Sequence, residues 1–172
     1  MSFDIYLQTS NLSHKTEKVK HPFTGEEYDQ PVGETMKPEE CSAVLSLFRE
    51  RGTAPDEFDA VVLKAGDGTE IVAYFDELNS DGDCSSGSLE MRSLTPPVAE
   101  MIFDIANRGN LVMHVVADPL IILATSEETK AKVESRWPET ELADTADALF
   151  KRIGAAFGQW ENYRDQVMDA DL

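Results

Sequence analysis

Two short, nearly continuous apolar runs, residues 111–116 (Leu-Val-Met-His-Val-Val) and 120–124 (Leu-Ile-Ile-Leu-Ala), constrain this chain more than any other feature of its sequence. Both fall far short of the roughly 20 apolar residues that cross a bilayer, so nothing here is expected to span a membrane. Runs this short and this poor in polar residues read as buried strands. Ala117-Asp118-Pro119 separates them with a turn-forming triplet, which predicts two strands joined by a tight turn at the centre of the core.

The rest of the chain carries two different periods. Residues 2–8 set Phe3, Ile5 and Leu7 against Ser2, Asp4, Tyr6 and Gln8, the alternation of a half-buried strand. Residues 58–65 and 70–75 are rich in Val, Ile and aromatics, and the Asp67-Gly68 pair between them predicts a hairpin. Residues 88–93 alternate Leu89 and Met91 with Glu90 and Arg92, a third meander strand. Helical spacing begins at Pro38, where Cys41, Val44, Leu45 and Phe48 recur on one face and Gly52 supplies a stop. Thr95 and Pro96 open a second helix with Val98, Met101, Ile102 and Ile105 on its buried stripe and Gly109 at its end. Ser126, Glu127 and Glu128 open a short helix that ends before Pro138. A long one follows, with Leu142, Ala146, Leu149, Ile153, Ala156 and Trp160 along one side. From residue 9 to 36 no period holds, and Pro22, Gly25, Pro31 and Gly33 punctuate a long loop, a candidate working surface. These elements predict one α+β domain over residues 1–172, a mixed or mainly antiparallel sheet of about five or six strands packed with about four helices.

Charge narrows the partners. Fifteen basic against 33 acidic side chains give a net charge of −18, which repels nucleic-acid phosphates and anionic lipid headgroups alike. The excess serves solubility, or adaptation to a salty habitat, or it meets a basic protein partner. It is densest in the middle of the chain, where residues 56–104 hold twelve acids against Lys64 and Arg92. There Asp76, Glu77, Asp81 and Asp83 crowd one strand end and the loop after it, and they are the expected centre of a partner-binding surface. The opening residues lack the basic and apolar regions of a signal peptide, so a cytoplasmic location is expected, with Cys41 and Cys84 as free thiols.

The opening Met1-Ser2-Phe3-Asp4-Ile5-Tyr6-Leu7-Gln8 resembles that of a group of uncharacterised bacterial proteins beginning in the style of MSFDIFLQ, and the likeness extends to Ile105-Ala106-Asn107-Arg108-Gly109-Asn110-Leu111-Val112-Met113. The resemblance implies a bacterial cytosolic domain. It brings no activity, because the shared residues are strand alternation, a helix end and a buried strand.

Chemistry-bearing patterns are few. Glu77-x-Asn79-x-Asp81-Gly82 imitates the start of a calcium loop, but the twelfth position is Ser88 where a bidentate Glu is wanted, so no metal is expected there. Cys41 lies in a helix first turn, where backbone N–H groups favour a thiolate, yet Glu39 and Glu40 oppose the charge and its neighbours make it a buried, inert thiol. Cys84, in the acidic loop, is expected to be exposed and equally without a basic activator. His114 reads as a satisfied core or sheet-edge histidine, while His14 and His21 bracket Lys15, Lys18 and Lys20 in the one locally basic stretch, expected as a solvated loop. Gly154 and Gly158 would let another backbone approach the long helix, through internal packing or in a homodimer. No nucleophile elbow, phosphate loop, dinucleotide fingerprint, Cys-x-x-Cys or His-Glu-x-x-His occurs, so neither catalytic residues nor a cofactor are assigned. The leading expectation is a non-enzymatic acidic binding domain, of the immunity or inhibitory type, for a basic protein. The alternative is a small hydrolase or lyase with a carboxylate site hidden among so many acids.

Overall fold

Phe3, Ile5 and Leu7 are buried on one side of strand β1 (Phe3–Thr9), which lies in the middle of the main sheet. In the computed structural model, which describes residues 2–78 and 83–170, β1 pairs antiparallel with β6 (Ser86–Met91) on one side and β7 (Leu111–Val115) on the other. Beyond β6 come β5 (Glu70–Phe75) and β4 (Ala60–Lys64), the hairpin that Asp67-Gly68 predicts. Beyond β7 come β8 (Ile121–Ala124) and the two-residue β9 (Glu141–Leu142). The described sheet thus has seven strands in the order β4-β5-β6-β1-β7-β8-β9, antiparallel except for the β8–β9 pair. The fold is α+β with a mixed sheet, slightly larger than the five or six strands expected, because the two-residue β9 adds an edge strand beside β8 too short to show any period.

Helices α1 (Pro38–Arg51), α2 (Pro96–Gly109) and α4 (Ala146–Ala170) cover one face. Their Val44, Leu47, Ile102, Ile105, Leu149 and Ile153 pack against Phe3, Ile5, Leu7, Leu89, Met91 and Met113 of the sheet. Each such fully buried side chain contributes about 1.5–3 kcal/mol relative to exposure. On the other face α3 (Glu127–Val133) covers only the β7-β8-β9 end of the sheet, where Val133 and Trp137 pack on Val112 and Ile122. This second layer is why the two apolar runs need no polar alternation. Over β4, β5, β6 and β1 the same face carries no helix among the described residues, and Tyr6 there is 52% exposed.

Several local expectations are corrected. Residues 9–36 are not a loop throughout: β2 (Thr16–Lys20) and β3 (Glu27–Pro31) form a separate two-stranded arm. It leaves no apolar alternation to read because neither face is packed; β3 is exposed throughout and only Val19 of β2 is half-buried. At its tip His21 Nδ1 accepts the N–H groups of Phe23 and Thr24 (3.3 and 3.2 Å), and Phe23 stands 92% exposed. At its base Glu34 takes a two-pronged bond from Arg136 (2.8 and 2.6 Å). β6 starts at Ser86, not 88, since Ser86 and Gly87 pair with Gln8 and Leu7 although neither is apolar. β4 starts at Ala60, because Asp56 Oδ1 accepts the N–H groups of both Phe58 and Ala60 and bends the chain ahead of the strand. Leu142 belongs to β9, and α4 begins at Ala146. β7 and β8 are almost wholly buried in the core as expected, while the strand at the middle of the sheet order is β1.

Helix ends show side-chain control. Thr95 Oγ1 accepts the Val98 N–H (3.4 Å) at the start of α2, as its sequence predicts. The residue that closes α2 in left-handed backbone is Asn110 (φ 48°) rather than Gly109, and Gly109 is small for a different reason: a Cβ there would lie 2.9 Å from the Leu111 side chain. Glu40, only 3% exposed, accepts the Lys37 N–H and Asn11 Nδ2 on Oε2 and Asn110 Nδ2 on Oε1, each at 2.8 Å. One carboxylate therefore joins the start of α1, the segment after β1 and the end of α2.

Candidate functional site

The acids singled out in the sequence gather at the end of β5 and the start of β6. Asp76 and Glu77 follow β5, Asp83 precedes β6, and all three are exposed. Asp81 lies outside the described residues, as does the middle of the calcium-like loop. Among the described residues no group of three or more His, Cys, Asp or Glu is placed to hold a metal ion.

Between these acids Cys84 is buried, not exposed. Its thiol donates to the Ser86 carbonyl (3.4 Å) and its own carbonyl accepts the Met36 N–H (2.7 Å), so the loop turns the side chain inward. Burial pushes its pKa up to about 11, with the charges of Asp76 and Glu77 adding to the rise. Cys41 is buried as expected, and burial, then the neighbouring Glu40 charge, raises its pKa as well. Two protonated, shielded thiols are poor nucleophiles.

Glu77 also borders an apolar groove of about 230 Å³ between α1 and the β4–β5 hairpin. Leu45, Phe48, Val61 and Phe75 form its floor, with the Phe48 and Phe75 rings edge to face at 5.5 Å. Asp59 and Glu77 stand exposed at its rim, and both hold left-handed backbone (φ 59° and 54°), which non-glycine residues seldom adopt. Asp59 is kept there by the turn around Asp56, whose carbonyl accepts the Asp59 N–H at 3.1 Å. Such strain persists only where neighbours enforce it, and it recurs at ligand-binding sites.

The uncovered half of the sheet is a second distinctive surface. Register places Tyr74, Ser88, Tyr6 and His114 in one row across β5, β6, β1 and β7, and Val72, Glu90 and Asp4 in the next. Asp4 and Glu90 are thus direct cross-strand neighbours, and opposite residues of this kind hold their Cβ atoms about 4.5–5.5 Å apart. Sequence alternation turns Asp4, Tyr6 and Glu90 away from the core; only strand pairing shows that they meet.

Elsewhere the candidates separate. His14, His21 and the three lysines between them lie exposed on or beside the arm. His114 is half-buried, edge-on to Trp137 at 4.9 Å, and burial pushes its pKa down. Its Nε2 is shielded with no partner among the described residues, so it is not the satisfied histidine expected. A Cβ at Gly154 or Gly158 would meet nothing within 4 Å among the described residues, so these glycines mark no close backbone approach within the chain. Among the described residues no helix is long and apolar enough to cross a membrane. No protein-family model, curated protein or solved structure matches the chain.

Proposed function

We propose that this chain is a non-enzymatic acidic binding domain that recognises a basic protein, in the manner of an immunity-type or inhibitory protein. The observation that carries this reading is the groove: an apolar floor framed by Asp59 and Glu77, with Asp76 beside it. Protein interfaces draw most of their energy from a few anchor side chains that fill such pockets, while complementary charge around them speeds encounter and selects the partner. An aromatic or branched side chain next to a Lys or Arg fits both parts. Its apolar end fills the groove and its neighbour meets the rim. Asp83, and Asp81 by its place in the sequence, extend the attracting field. An engineered apolar cavity of about 150 Å³ is known to hold benzene, so a groove of this size suits one ring.

A hydrolase or lyase would need paired carboxylates in a water-excluding cleft. The pair that strand register creates, Asp4 and Glu90, sits instead on an open sheet face beside a half-exposed tyrosine, which favours binding over turnover.

The test is capture from native lysate with three proteins: wild type, D76N/E77Q/D81N/D83N, and Leu45→Arg, which fills the groove and offers its own cation to the rim. Wild type should recover a basic protein that Leu45→Arg does not. The quadruple variant should bind that purified protein more slowly at low salt, with the difference shrinking as ions screen over about 8 Å at 0.15 M. Equal recovery by all three would defeat the reading.

A further inference from the structure

We propose that the uncovered half of the sheet is a second binding surface, one that receives an arginine-bearing segment of a partner, the guanidinium seated at Asp4 and Glu90 against the ring of Tyr6. The groove lies on the opposite, helix-covered side of the sheet, so this surface does not rest on the groove reading.

Like charges directly opposite on neighbouring strands are destabilising, yet β1 and β6 are registered so that Asp4 faces Glu90. Neither forms an ion pair among the described residues. Lys64, on the same sheet, is committed to Glu70 at 3.3 Å, and Arg92, just past the end of β6, lines the same depression as Glu90 but pairs with neither acid. Asp4 Oδ1 is in addition shielded from solvent and receives no donor among the described residues. The carboxylate is half-desolvated, and a charge-assisted bond made there is stronger than one on a fully wet surface. A sequence that breaks a local rule without compensation inside the fold does so most often at a functional site.

Aromatic groups complete the surface. Tyr6 is two residue pairs along from Asp4 and Glu90, the next position on the same face, and is exposed over half its area. Tyr74, on the far side of Ser88 from Tyr6, has its pKa raised by burial and by the charges of Glu90, Asp56 and Asp4, so its hydroxyl stays a neutral donor. Two carboxylates beside a flat ring match a guanidinium better than an ammonium: arginine offers a planar fork of donors to carboxylate oxygens and stacks on aromatic faces, whereas lysine offers a point charge. A metal ion would want a third ligand of the His, Cys, Asp or Glu type, and among the described residues none is placed to serve. A second copy of this chain would arrive with the same net charge of −18, so the occupant has to be basic.

An octa-arginine peptide is the probe, with octa-lysine as its comparison, titrated at 0.15 M salt by calorimetry and by NMR. The proteins are wild type, D4N/E90Q, Tyr6→Leu, Leu45→Arg, and E50Q/D144N, which removes the same charge from exposed positions elsewhere. D4N/E90Q should lose about tenfold in affinity and E50Q/D144N less than about twofold, because the site supplies directed bonds and not only net charge. D4N/E90Q should also melt above wild type, since the mutual repulsion is gone. Tyr6→Leu should erase the preference for octa-arginine over octa-lysine, and Leu45→Arg should leave octa-arginine binding intact. That last result separates failure here from failure at the groove. Equal losses for the two double variants, a lower melting temperature for D4N/E90Q, or octa-lysine binding as tightly as octa-arginine would each overturn the proposal.

Discussion

Replacing Glu40 with Ala should be the most damaging single change among the polar residues of this fold. Its carboxylate is buried and accepts three hydrogen bonds at 2.8 Å, from the Lys37 N–H and from the amides of Asn11 and Asn110. Bonds to a charged group contribute about 1.5–3 kcal/mol each, but three on one carboxylate share its charge and do not add. Removing the shared acceptor strands three neutral donors at once; a buried donor left without a partner costs about 1–3 kcal/mol, and because the three are part-buried and share one acceptor the total is about 3–5 kcal/mol rather than their full sum. A chain of this length loses about 2–4 °C in Tm per kcal/mol, so a fall of about 6–20 °C is expected. Glu40→Gln keeps one oxygen for the Asn11 and Lys37 donors and turns an NH2 toward Asn110, whose own amide can flip to meet it. That variant should lose only about 1–2 kcal/mol. Urea unfolding at neutral pH with both variants is the assay. Glu40→Ala within about 1 kcal/mol of wild type, or Gln as damaging as Ala, would refute the reasoning.

Two further outcomes follow from other sites. Arg136 holds the Glu34 carboxyl below the usual glutamate range, chiefly through its hydrogen bonds, with the Ser13 N–H assisting. A depressed folded pKa contributes stability that is present above the unfolded value and lost as pH falls through the folded one; the penalty of Glu34→Gln should therefore be full at neutral pH and fade in acid, as urea melts from about pH 7 to pH 3 would show. Both thiols are shielded and hard to ionise, so the native chain should consume no thiol reagent near pH 8 while two thiols react in urea; prompt native labelling of either cysteine would contradict the inward-turned Cys84.

Where burial was one-sided, periodicity sufficed to read the fold. Phe3, Ile5 and Leu7 on β1, and Val98, Met101, Ile102 and Ile105 on α2, are all buried where their spacing places them. The arm escaped because a hairpin that buries nothing leaves no apolar pattern, and its order comes from backbone pairing and the His21 turn. Ser86 and Gly87 escaped because pairing to Leu7 and Gln8, not side-chain character, makes them strand. The candidate surfaces were legible only as parts. Glu77 could be picked out by local charge density, but its partner across the groove, Asp59, sits 18 positions earlier in an unrelated turn. Asp4 and Glu90 meet through strand register, a long-range property that local sequence does not carry.

The position of β1 governs how this chain can be assembled. Its partners are made much later: Phe3 pairs with Met91 and Leu7 with Met113, so β1 waits, unpaired and apolar on one side, until both partner strands have followed it. Closure of such distant pairs is slow, and an apolar strand left waiting is open to pairing with the wrong chain. Once inserted, β1 is the seam of the sheet. Withdrawn, it would part the three-strand block β4-β5-β6 from the three-strand block β7-β8-β9 and leave β6 and β7 as two raw edges facing one vacant slot. That slot is shaped for a single sequence, the one in residues 3–9, whether it comes from the same chain, from a neighbouring copy that has lent its own strand, or from a synthetic peptide supplied in trans.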